Sequence, residues 1–317
     1  MKVIITDCDH ENIDIETKIF ADAGIDMELK QAVTENEVIA QCQNAEIFIV
    51  QYAKITEKVM EHCPKLKYVV RYGVGVDTID LAAAQKHGVQ VGNVPDYGMN
   101  EVADHAISLA LAMIRKIIKM NAVTKNEGWD YTNAIPVHRF SELTVGVIGL
   151  GRIGRNFAKK MHALGFSVIG TDPYYKAASE TDRYVQTVSM EEVIKRSDII
   201  SLHCPADGNV DLFNKETFRK MKKSAILINV ARGGIINEPD LNQALKNGEI
   251  AGAALDCMLG EPVSKASVLF KHENLIVTPH MAWYSEEAAD ELKRKVAEEA
   301  VRFANGEAIH YPVNSLA

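Results

Sequence analysis

Val145-Gly146-Val147-Ile148-Gly149-Leu150-Gly151-Arg152-Ile153-Gly154 is an apolar run that ends in Gly-x-Gly-x-x-Gly and leads into a helical stretch. Each glycine has its own physical task. Gly149 permits a tight turn, Gly151 lets backbone approach a pyrophosphate, and Gly154 lets a helix pack closely on a strand. A phosphate would then sit on the helix N-terminus, where unpaired N–H groups and the helix dipole favour anions. The next apolar run, Val168-Ile169-Gly170-Thr171, ends in Asp172, 18 residues after Gly154. A carboxylate there accepts hydrogen bonds from ribose hydroxyls and repels a 2′-phosphate, which selects NAD over NADP. The segment reads as a Rossmann-type nucleotide site with NAD as its cofactor.

Working outward, short β-branched runs alternate with helical stretches along most of the chain. They are Val3–Thr6, Ile47–Val50, Tyr68–Arg71, Thr144–Ile148, Ser167–Thr171, Ile199–His203, Ala225–Asn229, Gly252–Asp256 and Leu275–Pro279. Strands joined by helices imply right-handed crossovers and parallel sheets. Nine strands exceed one small sheet, so the reading is α/β with two doubly wound parallel-sheet domains. Turn-rich Val94–Met99 precedes a long helix, with Asn100 or Asp96 as caps and apolar groups in helical spacing from Val102 to Ile118. The last helix follows the final strand of the second domain and is placed back on the first. The expected organisation is therefore a Rossmann domain, 99–286, inserted into a flavodoxin-like domain made of 1–98 and 287–317.

Bulk properties narrow the class further. The 317 residues carry 43 acidic and 35 basic side chains, a net charge of −8, and mean hydropathy is −0.08. This balance argues against a nucleic-acid or anionic-membrane binder. No apolar run approaches the ~20 residues that span a bilayer. The N-terminal run turns polar after three apolar residues, which does not suit a signal peptide. Five widely spread cysteines without ligand spacing read as reduced thiols with no structural metal site. Together these features suggest a cytoplasmic protein.

Three later segments end on chemistry. Ile228-Asn229-Val230-Ala231-Arg232 places an arginine just past a strand, Leu255–Glu261 a carboxylate in a following loop, and Val277-Thr278-Pro279-His280 an imidazole. In an open parallel sheet the carboxyl ends of strands form the ligand crevice, so these groups should converge. Carbonyl reduction needs such a set. A histidine can deliver a proton, a carboxylate can orient it, and an arginine presents a fixed cationic fork.

On these segments the chain resembles the D-isomer-specific 2-hydroxyacid dehydrogenases over nearly its whole length. The glycine loop, Asn-Val-Ala-Arg-Gly-Gly, Glu-Pro and Thr-Pro-His occur in order, with 29 residues from Arg232 to Glu261 and 19 from Glu261 to His280. The resemblance implies an NAD(H)-dependent oxidoreductase that interconverts a 2-oxo acid and a D-2-hydroxy acid, working as a homodimer. It gives Arg232, Glu261 and His280 catalytic roles. It places Gly149, Gly151, Arg152, Ile153, Gly154, Asp172, His203, Cys204, Pro205, Asn209, Val230, Ala231, Arg232, Asp256 and His280 at the cofactor. Arg71, Gly73, Val74 and Gly75 would hold the substrate with Arg232 and His280, the loop glycines letting backbone N–H groups touch a carboxylate. Pro279–Glu286 and Arg71 are similar to the C-terminal-binding proteins and their bacterial dehydrogenase relatives, where Trp283 would pack on the substrate side chain. An NAD(H)-sensing regulatory protein of that branch is the competing reading. The long disordered extensions of its animal members are missing here. A phosphoglycerate dehydrogenase-like enzyme is a lesser alternative, because Gln51 and Tyr52 stand where it would offer an arginine and no regulatory domain follows.

Overall fold

A computed structural model describes residues 1–175 and 183–316. The chain forms two compact units, Met1–Gly98 with Ser285–Ala317, and Met99–Tyr284. The second crossing falls at Tyr284/Ser285, beside Ser285, whose hydroxyl accepts from the Ala288 amide and caps the helix Glu286–Ala304.

The first unit holds a five-stranded sheet of β1 (Val3–Ile5), β2 (Met27–Leu29), β3 (Ile47–Val50), β4 (Tyr68–Arg71) and β5 (Gln90–Gly92). All pairings are parallel and the order is β2-β1-β3-β4-β5, the flavodoxin-like arrangement. The switch point between β1 and β3, where such folds take ligands, is filled by the chain itself. Buried Asp7 accepts hydrogen bonds from the amides of Gln51 (3.2 Å), Tyr52 (2.5 Å) and Ala53 (3.2 Å).

The second unit carries seven parallel strands: β6 (Thr144–Ile148), β7 (Ser167–Thr171), β8 (Gln186–Thr187), β9 (Ile199–Leu202), β10 (Ile226–Asn229), β11 (Gly252–Leu255) and β12 (Leu275–Val277). Their order, β12-β11-β10-β9-β6-β7-β8, is the Rossmann order extended by one strand. Successive residues serve opposite faces. Ile226 and Ile228 join the core under helices Met99–Ile114 and Arg152–Ala163, whereas Leu227 joins the core under Met190–Arg196 and Glu238–Asn247. Both faces are covered, which explains strands that read as continuous apolar runs. Each fully buried aliphatic side chain contributes ~1.5–3 kcal/mol of transfer free energy.

Three of the twelve strands among the described residues, β2, β5 and β8, escaped the sequence reading. They hold two or three residues each and stand on sheet edges or run into glycine, so periodicity has nothing to register. The apolar stripe from Val102 to Ile118 is not one helix. The first helix ends at Ile114, Lys116 takes a left-handed φ of 54°, and a second helix spans Ile117–Asn126. Ile117 and Ile118 are accordingly exposed. Neither expected cap serves. Asn100 lies inside the first turn, and Asp96 pairs with Lys295 (2.8 Å) and Tyr311 (2.5 Å). No helix among the described residues is long and apolar enough to cross a membrane.

Candidate active site

The glycine turn lies at the sheet's switch point, between β6 and β9. Gly149 adopts φ +93°, and a methyl group on it would strike the backbone of His203 and Cys204. A methyl group on Gly154 would collide with the Gly149 carbonyl, so helix and strand meet there without room for a side chain. Gly151, by contrast, has nothing within 4 Å of such a methyl group and caps the helix Arg152–Ala163. The open space lies in front of unpaired helix N–H groups, which is the cradle a pyrophosphate requires. Asp172 tightens the turn by accepting from the Leu150 amide (2.8 Å) with one oxygen and the Tyr174 amide (2.8 Å) with the other.

His203 packs against Phe157 with ring centroids 4.9 Å apart, and its Nε2 meets Ser201 Oγ at 2.9 Å. Burial pushes its pKa down to about 3, so the ring is neutral at physiological pH. This fits a wall residue and not a proton donor. Its Nδ1 is buried without a hydrogen-bond partner among the described residues. Asn209 shapes the same wall by donating to the carbonyls of Pro205 (3.0 Å) and Asp207 (3.3 Å).

The three chemistry-bearing segments converge at the carboxyl ends of β10, β11 and β12. His280 Nδ1 lies 2.5 Å from Glu261 Oε2, and Glu261 Oε1 accepts from the Met258 amide at 2.8 Å. Burial pushes the Glu261 carboxyl up. The His280 hydrogen bond, the Met258 amide and the charges of His280 and Arg232 outweigh it and hold the group below its ordinary range. The carboxylate is therefore ionised and acceptor-only, which fixes a proton of His280 on Nδ1 and leaves Nε2 without a contact to Glu261. Arg232 sits in extended backbone after β10. Buried Asn229 sets this turn by accepting from the Ala231 amide (3.0 Å) and donating to the Arg232 carbonyl (2.8 Å). A side chain at Gly233 would strike the Met258 backbone, so the arginine and glutamate loops touch directly.

Sequence reasoning missed what holds His280 in place. The residue has a left-handed φ of 52°, which costs a non-glycine residue of the order of 1–2 kcal/mol. Asp256, 2% exposed, offsets that cost. Its carboxylate accepts from the Thr278 hydroxyl (2.6 Å) and the amides of Met281 (3.0 Å) and Ala282 (2.9 Å), and its carbonyl accepts from the His280 amide (2.9 Å). His105, on the helix Met99–Ile114, reaches Thr278 Oγ1 at 3.0 Å. Thr278→Val should therefore remove the hydroxyl's bonds to buried Asp256 and half-buried His105, at ~1–3 kcal/mol, and lower the melting temperature by several degrees. Thr278→Ser should melt near the wild type. Equal melting of all three in a thermal scan would show that the hydroxyl carries no load.

In the first unit, Arg71 closes β4 and its guanidinium lies over Gly73, whose φ of +122° and missing side chain make the space. Tyr72 turns inward to donate to buried Glu16 at 2.8 Å. The Gly73 carbonyl accepts from the Val94 amide (3.0 Å) and that of Val74 from Asn93 Nδ2 (2.7 Å). The amides of Gly73, Val74 and Gly75 donate to no group among the described residues. Trp283 meets Tyr284 edge-on at 5.5 Å in the second unit.

Comparison with known proteins agrees with this geometry. Residues 107–282 match the family model described as D-isomer specific 2-hydroxyacid dehydrogenase, NAD binding domain. The chain is 37% identical to D-3-phosphoglycerate dehydrogenase of Methanocaldococcus jannaschii over 99% of its length but spans only 59% of that relative. It is 32% identical to glycerate dehydrogenase of Methylorubrum extorquens, covering 94% of this chain and 95% of the relative. D-lactate dehydrogenase of Aquifex aeolicus, solved with NAD and lactic acid, superposes with a TM-score of 0.89 at 27% identity, covering 99% of this chain and all of that one. With the family model matching residues 107–282 and the glycerate dehydrogenase matched over nearly its whole length, the chain belongs to the D-isomer-specific 2-hydroxyacid dehydrogenases, a family of NAD-dependent oxidoreductases.

Proposed function

We propose that this protein reduces a 2-oxo acid to the D-2-hydroxy acid with NADH, or runs the reverse, with Arg232, Glu261 and His280 as its catalytic residues. The observation that carries the reading is the 2.5 Å pairing of His280 Nδ1 with Glu261, on loops that also seat Arg232. Bound NADH supplies the hydride for the carbonyl carbon. His280 gives its Nε2 proton to the oxygen that becomes an alkoxide, and Glu261 stabilises the imidazolium that exists before transfer. Arg232 presents a rigid two-donor fork to the substrate's carboxylate and carbonyl oxygen. The unpaired amides of Gly73, Val74 and Gly75 are suited to a carboxylate, with Arg71 adding positive charge, and the resemblance assigns Trp283 to pack on the substrate side chain. Gly149, Gly151, Arg152, Ile153 and Gly154 hold the pyrophosphate. Asp172 binds the ribose, and His203, Cys204, Pro205, Asn209, Val230, Ala231 and Asp256 form the wall at the nicotinamide end.

We place the protein in the cytoplasm as a homodimer. Trp129 (95% exposed), Tyr131 (78%) and Ile135 (62%) leave an apolar surface on the second unit that a second copy would cover. Relatives that act on 3-phosphoglycerate keep that substrate in view, but Gln51 and Tyr52 offer no guanidinium here. Both are engaged with Asp9, Gln51 through its side-chain amide and Tyr52 through its hydroxyl at 3.0 Å. The nature of the side chain is tested by following NADH absorbance with glyoxylate, pyruvate, hydroxypyruvate, oxaloacetate, phenylpyruvate, 2-oxo-4-methylthiobutyrate and 3-sulfopyruvate. Fast turnover of the anionic acids would assign the pocket to Arg71, and of the flat or apolar ones to Trp283. NADH binding without turnover of any acid would favour a sensor of the C-terminal-binding-protein type.

Cofactor choice gives a separate prediction. Asp172→Ala should narrow the preference for NADH over NADPH by about tenfold, since one hydrogen bond or charge repulsion of ~1–2 kcal/mol is lost. An unchanged ratio of kcat/KM values would show that Asp172 does not read the ribose.

A further inference from the structure

The fold brings together a mixed ligand set that no spacing in the sequence reveals. Cys257, Glu261 and His280 each offer one ligand atom, and the three atoms lie within 4.8 Å of one another. Cys257 is 2% exposed, and its Sγ makes a single hydrogen bond, to the Ala231 carbonyl at 3.5 Å. It is thus a nearly fixed sulfur at the base of the cluster. Glu261 and His280 are exposed, so the cluster is open to solution on their side. A thiolate, an imidazole and a carboxylate form a borderline-soft set that prefers zinc-like cations to magnesium or calcium. Three protein ligands with a vacant fourth direction is the composition of open zinc sites. An ion ~2.0–2.3 Å from each donor would space them roughly 3.4 Å apart. The sulfur must then be approached and the close His280–Glu261 pair must spread, movements that the two exposed side chains can make.

The other cluster of metal-ligating groups among the described residues is weaker. Glu57, Glu61 and His87 lie together on the first unit, but the Lys86 ammonium already sits 2.5 Å from Glu57 and no thiol is present.

We propose that Cys257, Glu261 and His280 form an inhibitory site for Zn2+ or a similarly thiophilic divalent cation. The ion displaces the thiol proton of Cys257 to solvent, and the Nδ1 proton of His280 leaves to solvent from an imidazolium or moves to Nε2 in a neutral ring, so that the metal-bound ring keeps its one remaining proton. With His280 ligated, the protein has no proton donor for the carbonyl, so turnover stops until a chelator removes the ion. That consequence rests on the catalytic reading above, whereas binding of the ion does not.

The test uses Co2+ as a spectroscopic probe and Zn2+ as inhibitor, on wild type and Cys257→Ala. Co2+ added to the full-length protein should give a thiolate-to-cobalt charge-transfer band that Zn2+ bleaches, EDTA abolishes and Cys257→Ala lacks. Zn2+ should inhibit NADH oxidation reversibly. Cys257→Ala, assayed against its own metal-free rate, should need at least ~10²-fold more Zn2+, since losing a ligand costs no less than losing a supporting partner. Cys257→Ser, which keeps the size of the side chain, repeats the comparison if the alanine variant misfolds. A missing thiolate band, or equal Zn2+ sensitivity in wild type and variant, overturns the site whatever the enzyme's activity. A normal band with undiminished turnover would instead overturn the inhibitory role, and with it the need for a free His280. Failure of the metal-free protein to turn over any 2-oxo acid would count against the catalytic reading and leave the band as the test of the site.

Discussion

Arg232→Lys is expected to lower kcat/KM for the best 2-oxo acid by ~10²–10³-fold while NADH binding, read by fluorescence titration, stays within a fewfold of wild type. The size follows from losing a donor that acts where negative charge develops in the transition state. Lysine keeps the charge but not the planar fork, and its shorter reach cannot satisfy carboxylate and carbonyl oxygen together. The backbone should be unaffected, because the turn is set by Asn229, whose side chain bonds the Ala231 amide and the Arg232 carbonyl. Near-wild-type rates for the lysine variant would remove Arg232 from substrate recognition.

The second large effect concerns His280. Replacement by alanine should reduce kcat by ~10²–10⁴-fold, the range for losing a positioned general acid. The pH dependence of the residual rate should lose the limb that depends on a protonated imidazole. Glu261→Gln tests the same pair more gently. The amide can still accept from Nδ1–H but brings no charge to the ring that donates the proton, so kcat/KM should fall by less than in His280→Ala. An unchanged rate in His280→Ala would mean that another group supplies the proton, and buried, neutral His203 could not be that group.

How much of this was legible depended on whether physics acted locally. The strand from Val145 into Gly149-x-Gly151-x-x-Gly154 was readable because three glycines at fixed offsets answer one local demand for close backbone approach. Ile226–Asn229 was readable because both sheet faces are covered, so that Ile226, Leu227 and Ile228 run apolar without alternation. The edge strands Met27–Leu29, Gln90–Gly92 and Gln186–Thr187 were not, since neighbours far along the chain make them strands. The break at Lys116 was equally hidden, because apolar residues on both sides continue the helical spacing while the backbone turns left-handed. At the site, an arginine, a loop carboxylate and a histidine at successive strand ends could be read from chemistry and order, and the family resemblance pointed to Glu261 as the carboxylate. The support of His280 could not, because His105 and Thr278 meet across 173 residues of sequence. The adjacency of Cys257 to the His–Glu pair has the same origin. Only the parallel stacking of β11 and β12 brings the loops that follow them together.

The most direct measurement is a chiral analysis of the product formed when the wild-type protein consumes NADH in the presence of its best 2-oxo acid. One D-2-hydroxy acid formed for each NADH oxidised, with no L isomer, is the predicted result. An L or racemic product, or NADH consumed without a hydroxy acid, would contradict the account.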